Sequence, residues 1–286
     1  MVMVEYIRLI KKRMEESMKK LIALAICLGF TLSVSAAYAA PVGNIATPSL
    51  LKKGIVMKEQ KSDWGVIAGT EIDLNWDRNL KNQDGSDGRP QYFFYGSKIG
   101  LLLMDRFIPY AILGMAEAKH QMFRINVQEV KWQTDYDFVW GVGGTAMLYE
   151  TEAGQVGDGI LHVGVDGRYR QSHLSVDAVT LNGTKYESDS SHMTSSKYEL
   201  GDWQVALEIA YQYKQIVPYA GVKYSGATGE AAATINGTSY KYDFENENDI
   251  GIFAGGDIII SDSLTVNAEG RFLDETALSL AGTVRF

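Results

Sequence analysis

Apolar and polar residues alternate strictly along the chain from Trp64 onward. In the first such stretch, one parity is apolar or small with a tryptophan at each end, and the other parity includes Glu71 and Asp73. Successive side chains of a β-strand point to opposite faces, so the stretch predicts a strand with one apolar and one polar face. An apolar band with an aromatic residue at each end is typical of a strand that faces lipid. Residues 64–76 are therefore predicted to span a membrane.

The pattern recurs along the rest of the chain and predicts ten strands, within a range of roughly eight to twelve. Charged residues occupy the rows opposite the apolar ones: Glu71, Asp73, Lys98, Glu117, Asp135, Asp137, Asp166, Arg168, Arg170, Asp202, Glu208, Lys223, Asp257, Glu269, Arg271 and Arg285. We expect an all-β fold over residues 63–286, a transmembrane antiparallel up-and-down β-barrel with this charged set facing its lumen. A soluble β-sandwich or propeller also alternates, but it has little reason to place Trp and Tyr at the ends of so many outward rows.

The predicted connections are short at one end of the strands and long at the other. Three connections are tight and a fourth, at 151–159, is slightly longer, whereas the polar connections at 77–89, 120–133, 174–196 and 226–239 are long. Outer-membrane barrels have short periplasmic turns and long outer loops. The Asn-Gly pairs at 182–183 and 236–237 predict two hairpins that stand beyond the bilayer.

The final strand, with the sequence LSLAGTVRF at 278–286, alternates up to the aromatic residue Phe286. It resembles the terminal strand of bacterial outer-membrane β-barrel proteins, and ten strands is the scale of the small OmpA/OmpX-like and omptin-like barrels. The resemblance implies that Leu280, Val284 and Phe286 are recognised by the barrel-assembly machinery. It also implies an outer-membrane location with lipid and lipopolysaccharide as surroundings, and we expect a monomer.

A second resemblance lies near the amino terminus, in the sequence PVGNIATPSL at 41–50. This stretch is similar to the mature start of the chlamydial major outer-membrane porins, with matches at Pro41–Asn44 and Pro48–Leu50. Those porins are longer and rich in cysteine, whereas the single cysteine here, Cys27, lies upstream of the match. The resemblance implies a shared leader or distant kinship.

The amino-terminal region predicts an export signal. Lys19 and Lys20 precede an apolar stretch, and small residues follow it, with cleavage expected after Ala39. Residues 18–39 are thus a predicted signal peptide, 1–17 an over-extended start upstream of Met18, and 40–62 a periplasmic leader. Removing residues 1–39 leaves 21 bases and 32 acids, a net charge of −11, which makes nucleic acid an unsuitable partner.

The charged inward rows allow two interpretations of the lumen. The opposite charges could pair across the axis and close or narrow the lumen, because small barrels are filled by side chains. Alternatively, Arg168 and Arg170 could face Asp135 and Asp137 across a narrow polar pore, with a transverse field at the constriction.

Enzyme chemistry is not expected. His120, His173 and His192 lie near the predicted outer ends, as in an omptin-like surface hydrolase, but no carboxylate is placed to hold a histidine as a general base. No residue spacing requires a metal or another cofactor. The sequence predicts a structural barrel or a narrow porin-like passage for small solutes; the alternative is an adhesion barrel that binds a surface ligand through its outer hairpins.

Overall fold

A computed structural model describes residues 42–51, 54, 64–78, 80–82, 87–123, 129–152 and 159–286 of the chain. The predicted start extension (1–17) and signal peptide (18–39), together with most of the leader after residue 51, lie outside the described residues and stay predictions. No helix among the described residues is both long and apolar enough to cross a bilayer.

One short helix and fifteen strands make up the described fold. Their bounds in chain order are α1 Thr47–Leu50, β1 Trp64–Arg78, β2 Leu80–Asn82, β3 Asp87–Leu103, β4 Phe107–Phe123, β5 Glu129–Thr134, β6 Asp137–Glu152, β7 Ile160–Leu174, β8 Val176–Leu181, β9 Thr184–Glu187, β10 Met193–Gln212, β11 Ile216–Ile235, β12 Thr238–Asn246, β13 Ile250–Ser261, β14 Leu264–Phe272 and β15 Glu275–Arg285. Ten of the strands, β1, β3, β4, β6, β7, β10, β11, β13, β14 and β15, pair in this order, each antiparallel to the next.

The last strand closes the barrel against the first. β15 pairs with β1 from Ile67↔Arg285 to Arg78↔Glu275, and the N–H of Phe286 donates to the carbonyl of Val66 at 2.8 Å. Closure gives every wall strand two neighbours and removes the exposed edges that an open sheet would have. The prediction of a ten-stranded antiparallel barrel is confirmed.

The remaining five strands extend the wall at the end with the long connections. β5 pairs with β4 and β8, β8 pairs with β9, and β12 pairs with both β11 and β2. Both predicted Asn-Gly hairpins are present, with positive φ at Asn182, Gly183, Asn236 and Gly237, as a type I′ turn requires. A fifth connection at this end, between β14 and β15, is tight.

The outward-facing rows form the predicted lipid-facing surface. Exposed aromatic side chains encircle the wall at two levels: Trp64, Phe107, Tyr149 and Tyr213 at one end, and Trp76, Phe138, Trp140, Tyr169, Trp203, Tyr224 and Phe272 at the other. Between them lie exposed aliphatic side chains such as Val142, Leu207 and Ile252. Two aromatic rings around an apolar band match the two interfaces of a bilayer.

One strand faces the opposite way from its prediction. The sequence pattern placed Tyr110, Ile112, Ala116 and Ala118 of β4 toward lipid and Glu117 in the lumen. In the structure these apolar residues are buried inside, while Glu117 lies on the outer face, where the Nζ of Lys119 is 3.1 Å away. The outward row of β4 is apolar as well, with Leu113 and Met115 exposed, so alternation alone could not identify its lipid-facing side.

Candidate functional site: the barrel lumen

Residues 42–51, here called the plug, lie inside the barrel at the end with the short turns, which in outer-membrane barrels is the periplasmic end. Val42, Ile45, Leu50 and Leu51 are at most 2 % exposed. The sequence predicted a periplasmic leader over residues 40–62, whereas the structure has residues 42–51 inside the lumen. Their apolar side chains leave water by packing within the lumen.

Two lumen carboxylates hold the plug by its backbone. The N–H groups of Val42 and Gly43 donate to the two oxygens of Glu269 at 2.9 and 3.1 Å. The N–H of Ile45 donates to Oε1 of Glu208 at 3.2 Å. Hydrogen bonds to an ionised acceptor are stronger than neutral ones, so these contacts tie the plug to the wall strands β10 and β14.

Small wall residues leave room for the plug. Val42, Ile45, Ala46 and Leu50 pack in one cluster with Ala206 and Ala210 of β10. A Cβ atom built on Gly164 of β7 would lie 3.2 Å from the Cβ of Ile45 and 2.5 Å from the carbonyl oxygen of Ala146. The β7 and β10 side of the wall thus has little side-chain volume where the plug packs, while Tyr219 of β11 and Phe253 of β13 fill the other side of the cluster.

A network of buried ion pairs, here called the ion-pair belt, fills the lumen in the middle of the barrel. Arg271 is its centre: it contacts Asp73, and its Nε and Nη1 lie 2.9 Å from Oε1 of Glu275 and 3.3 Å from Oε1 of Glu269. Lys223 pairs with Glu275 and with Asp274, whose Oδ2 is 2.8 Å from Nζ. Every one of these side chains is fully buried.

Two further arginines complete the belt. The Nη1 of Arg168 lies 3.5 Å from Oε1 of Glu71, and the Nε of Arg170 lies 3.1 Å from Oδ2 of Asp202. Arg170 also approaches Asp73 at 3.9 Å. The predicted salt-bridged interior is therefore present, with acids of β1 and β10 as the partners of the two β7 arginines.

The expected constriction between Arg168, Arg170 and the acids of β6 is wrong. The β6 residues that face these arginines in register are Gly143 and Gly141. Asp135 and Asp137 lie at the outer rim, where the Oδ2 of Asp137 accepts hydrogen bonds from the N–H and Oγ of Ser175 at 3.2 and 2.7 Å. These bonds stabilise the carboxylate and lower the pKa of Asp137.

A cavity of about 40 Å³ remains between the plug and the wall. Asn44, Glu71, Lys98 and Asp257 are among the residues that line it. The Nζ of Lys98 also lies 3.8 Å from the ring centroid of Tyr110, within the range of a cation–π contact. A volume of this size accommodates one or two water molecules.

Apolar side chains close the lumen at the outer end. Tyr92, Phe94, Trp132, Tyr198 and Phe244, here called the outer cap, are buried in one hydrophobic cluster that includes side chains of the extension strands β5 and β12. The alternation of the sequence did not predict this cap, because only charged residues were expected in the lumen. The inward apolar row of β4 would have indicated it, had the facing of that strand been known.

His120 lies buried in the outer cap. Its Nδ1 is 3.1 Å from the hydroxyl of Tyr198, and its ring meets that of Phe244 edge to face at 5.0 Å. β10 begins at its outer end, and Tyr198 precedes Trp203 by five residues in it. The contact therefore lies outside the outer aromatic ring, on the side away from the bilayer. Burial disfavours the charged imidazolium and lowers the pKa of His120 to about 3.

We expect acid to loosen the outer cap through His120. The unfolded histidine takes up a proton below its ordinary pKa of about 6.5, while the folded one stays neutral to about pH 3. Above the unfolded pKa, His120 therefore costs the fold no protonation energy. As the pH falls from about 6.5 to about 3, the free energy of unfolding decreases by up to about 1.4 kcal/mol per pH unit. Hydrogen exchange of the outer halves of β10 and β12 as a function of pH measures it. His120→Gln should flatten the dependence, and an equally steep dependence in that variant would contradict the assignment.

The remaining candidate residues from the sequence, two histidines and the terminal strand, lie outside the lumen. His173 is 3.6 Å from Oε1 of Glu199 on the outer surface, and His192 contacts Oδ1 of Asn236 at 2.8 Å between the two hairpins. Leu280, Val284 and Phe286 share the outward row of β15, with Phe286 exposed at the periplasmic end. Within the described ranges, no group of three or more His, Cys, Asp or Glu residues is placed to hold a metal ion.

Known proteins with similar sequences are porins. The major outer membrane porin of Chlamydia psittaci is 23 % identical over an alignment that covers 75 % of this chain and 76 % of the relative. The corresponding porins of Chlamydia abortus and Chlamydia pneumoniae are 22 % identical, and their alignments cover 94 % of this chain and the whole relative. No protein-family model matches the chain.

Solved structures with a similar fold include two outer-membrane proteins. OprG from Pseudomonas aeruginosa has a TM-score of 0.39 and 10 % identity over 79 % of this chain and 97 % of its own. The outer membrane protease OmpT from Escherichia coli has a TM-score of 0.36 and 8 % identity over 78 % and 92 %. The chain is an integral, porin-like β-barrel protein of the outer membrane, surrounded by outer-membrane lipid, as predicted.

Proposed function

We propose that this barrel is a narrow passage for small solutes that is shut in the state described here and opens when the plug leaves the lumen. The observation that carries the proposal is the attachment of the plug, whose backbone N–H groups bind Glu208 and Glu269 inside the barrel. The similarity to porins supports a passage rather than a purely structural barrel.

The plug is suited to leave the lumen without disrupting the wall. The wall strands carry their own ladder of hydrogen bonds around the closed barrel, and none of those bonds passes through the plug. What holds the plug is a small apolar cluster, a few hydrogen bonds to two carboxylates, and a hydrogen bond that Arg285 donates to the carbonyl of Leu51. Displacement would expose the polar walls of the periplasmic half of the lumen.

The ion-pair belt would then form the narrowest polar part of the passage. Its side chains are charged and can exchange paired partners for ions, as the lining of a selective pore does. The outer cap must also move, and its extension strands lie outside the ten-stranded wall. Leu280, Val284 and Phe286 are proposed as the signal for the assembly machinery, and we propose that the barrel works as a monomer without catalysis.

The test is conductance in planar bilayers of the mature chain, residues 40–286, against a variant with Ile45→Asn and Leu50→Asn. Ile45 and Leu50 are both buried in the plug. An asparagine amide without hydrogen-bond partners at either position disfavours the docked plug. We expect rare openings for the native chain and frequent small current steps for the variant. A deletion of residues 42–51 should behave like the double variant. A silent variant that shows the heat-dependent gel mobility of a folded barrel would contradict the proposal.

A second candidate function is binding of a surface ligand by the outer hairpins. One observation favours it: the Asn236-Gly237 hairpin is fixed to the segment before β10, because the N–H of Asn236 donates to the carbonyl of His192 at 2.8 Å and the two side chains are in contact. These contacts pre-organise part of the outer surface, which lowers the entropic cost of binding. Removing residues 184–191 should abolish cell-surface binding while conductance stays unchanged, and loss of both would speak against this function.

A further inference from the structure

Buried acids outnumber bases where the plug is attached. Glu208, Asp257 and Glu269 are at most 2 % exposed. The charged groups that act most strongly on Glu208 are three acids, Glu269, Asp257 and Asp166. Among the described residues, neither Glu208 nor Asp257 forms an ion pair with a basic side chain, although both are buried. An ionised carboxylate without a counter-charge is costly to bury, so these acids depend on hydrogen bonds from neutral groups while the plug excludes water.

The plug supplies only neutral groups to these acids. Residues 42–51 contain no charged side chain. Glu208 and Glu269 accept backbone N–H bonds from the plug, and Asp257 interacts with the amides of Asn44 and Asn267. One oxygen of Glu208 and one of Asp257 have no hydrogen-bond partner. The plug therefore offers these acids hydrogen bonds from neutral groups but no counter-charge.

The basic residues on either side of the plug-binding acids already have acidic partners of their own. In the ion-pair belt, Arg271, Lys223, Arg170 and Arg168 are each within 4 Å of at least one carboxylate. At the periplasmic mouth, the Nη1 of Arg285 is 3.2 Å from Oδ1 of Asp105. Of the plug-binding acids, Glu269 pairs with Arg271 at 3.3 Å, and Lys98 acts on Glu269 as well as on Asp166 and Glu71.

We infer that the passage is selective for small cations, both inorganic monovalent ions and protonated amines, and that Glu208 and Asp257 set this selectivity. The inference rests on the proposed function. When the plug leaves, water and mobile cations replace its N–H groups beside these carboxylates. The local excess of negative charge then concentrates cations and excludes anions, as rings of acidic side chains do in cation channels.

The test is the reversal potential of the Ile45→Asn/Leu50→Asn variant in a potassium chloride gradient. We expect potassium to be at least about fivefold more permeant than chloride, the ratio that a free-energy difference of about 1 kcal/mol between the two ions produces. Adding Glu208→Gln and Asp257→Asn should bring the ratio close to one while the current steps persist. The deletion of residues 42–51 provides a second background in which the plug is absent altogether.

Glu117→Gln is the matched control, because this carboxylate lies on the outer face beside Lys119 and its loss should leave the ratio unchanged. Steady current with equal permeabilities for potassium and chloride, or with a preference for chloride, would overturn the inference but not the proposed passage. An unchanged ratio after neutralising Glu208 and Asp257 would overturn the assignment of the selectivity to them. A folded but silent barrel would overturn the passage, and the inference with it.

Discussion

Replacement of Arg271 by leucine is expected to lower the free energy of unfolding by about 3–5 kcal/mol, the cost of breaking a buried ion pair from one side. Arg271 is fully buried and faces Asp73, Glu269 and Glu275. Leucine removes the only charge that these three acids share, and leaves part of their negative charge inside the barrel without a partner. Lys223 still compensates Glu275, and Arg170 remains 3.9 Å from Asp73, so the damage is greatest at Glu269.

Urea unfolding of the refolded barrel in lipid vesicles, followed by tryptophan fluorescence, measures the loss. Lys197→Ala is the matched control, because Lys197 forms its ion pairs with Glu199 and Glu230 on the exposed outer surface, where such pairs contribute little. Arg271→Lys should recover part of the stability, since it keeps the charge and loses the planar fork. Equal stability of Arg271→Leu and Lys197→Ala would show that the belt contributes little to the fold.

Leu113→Arg and Leu207→Arg are each expected to destabilise the barrel by about 2–4 kcal/mol, the cost of a cation facing lipid at the bilayer midplane. Both leucines are about half exposed on the outer face between the two aromatic rings. Leu207 faces lipid in the sequence-based prediction and in the structure, whereas Leu113 does so only in the structure. The pair therefore tests the orientation of β4 directly.

Leu148→Arg provides the depth control for this comparison. Leu148 is also exposed on the outer face, but it lies next to Tyr149 of the periplasmic aromatic ring, where the same substitution costs only about 0–1 kcal/mol. Equilibrium unfolding in vesicles compares the three variants. If Leu113→Arg were tolerated as well as Leu148→Arg, the side chain would have to face the lumen, and the structure of β4 would be contradicted.

The sequence by itself determined the ten wall strands, the closed all-β fold and the two aromatic rings. The reason is that alternation is a local property: side chains of successive strand residues point to opposite faces, so any strand with one apolar and one polar row reveals its facing. In every wall strand except β4, at least one polar or charged residue of the inward row marked the facing, as Lys98 does in β3. The Asn-Gly pairs at 182–183 and 236–237 were equally informative, because positive φ at both turn positions is also a local requirement.

Only the tertiary structure decided which way β4 faces, where the plug lies and which acids pair with the lumen arginines. Both rows of β4 are apolar, so its alternation holds no information about facing. The plug has no alternation, and its partners Glu208 and Glu269 are 163 and 227 positions away in the chain. Arg168 and Arg170 meet acids of β1 and β10 rather than of β6, because closure and the register between strands, which no local pattern encodes, determine which side chains meet across the lumen.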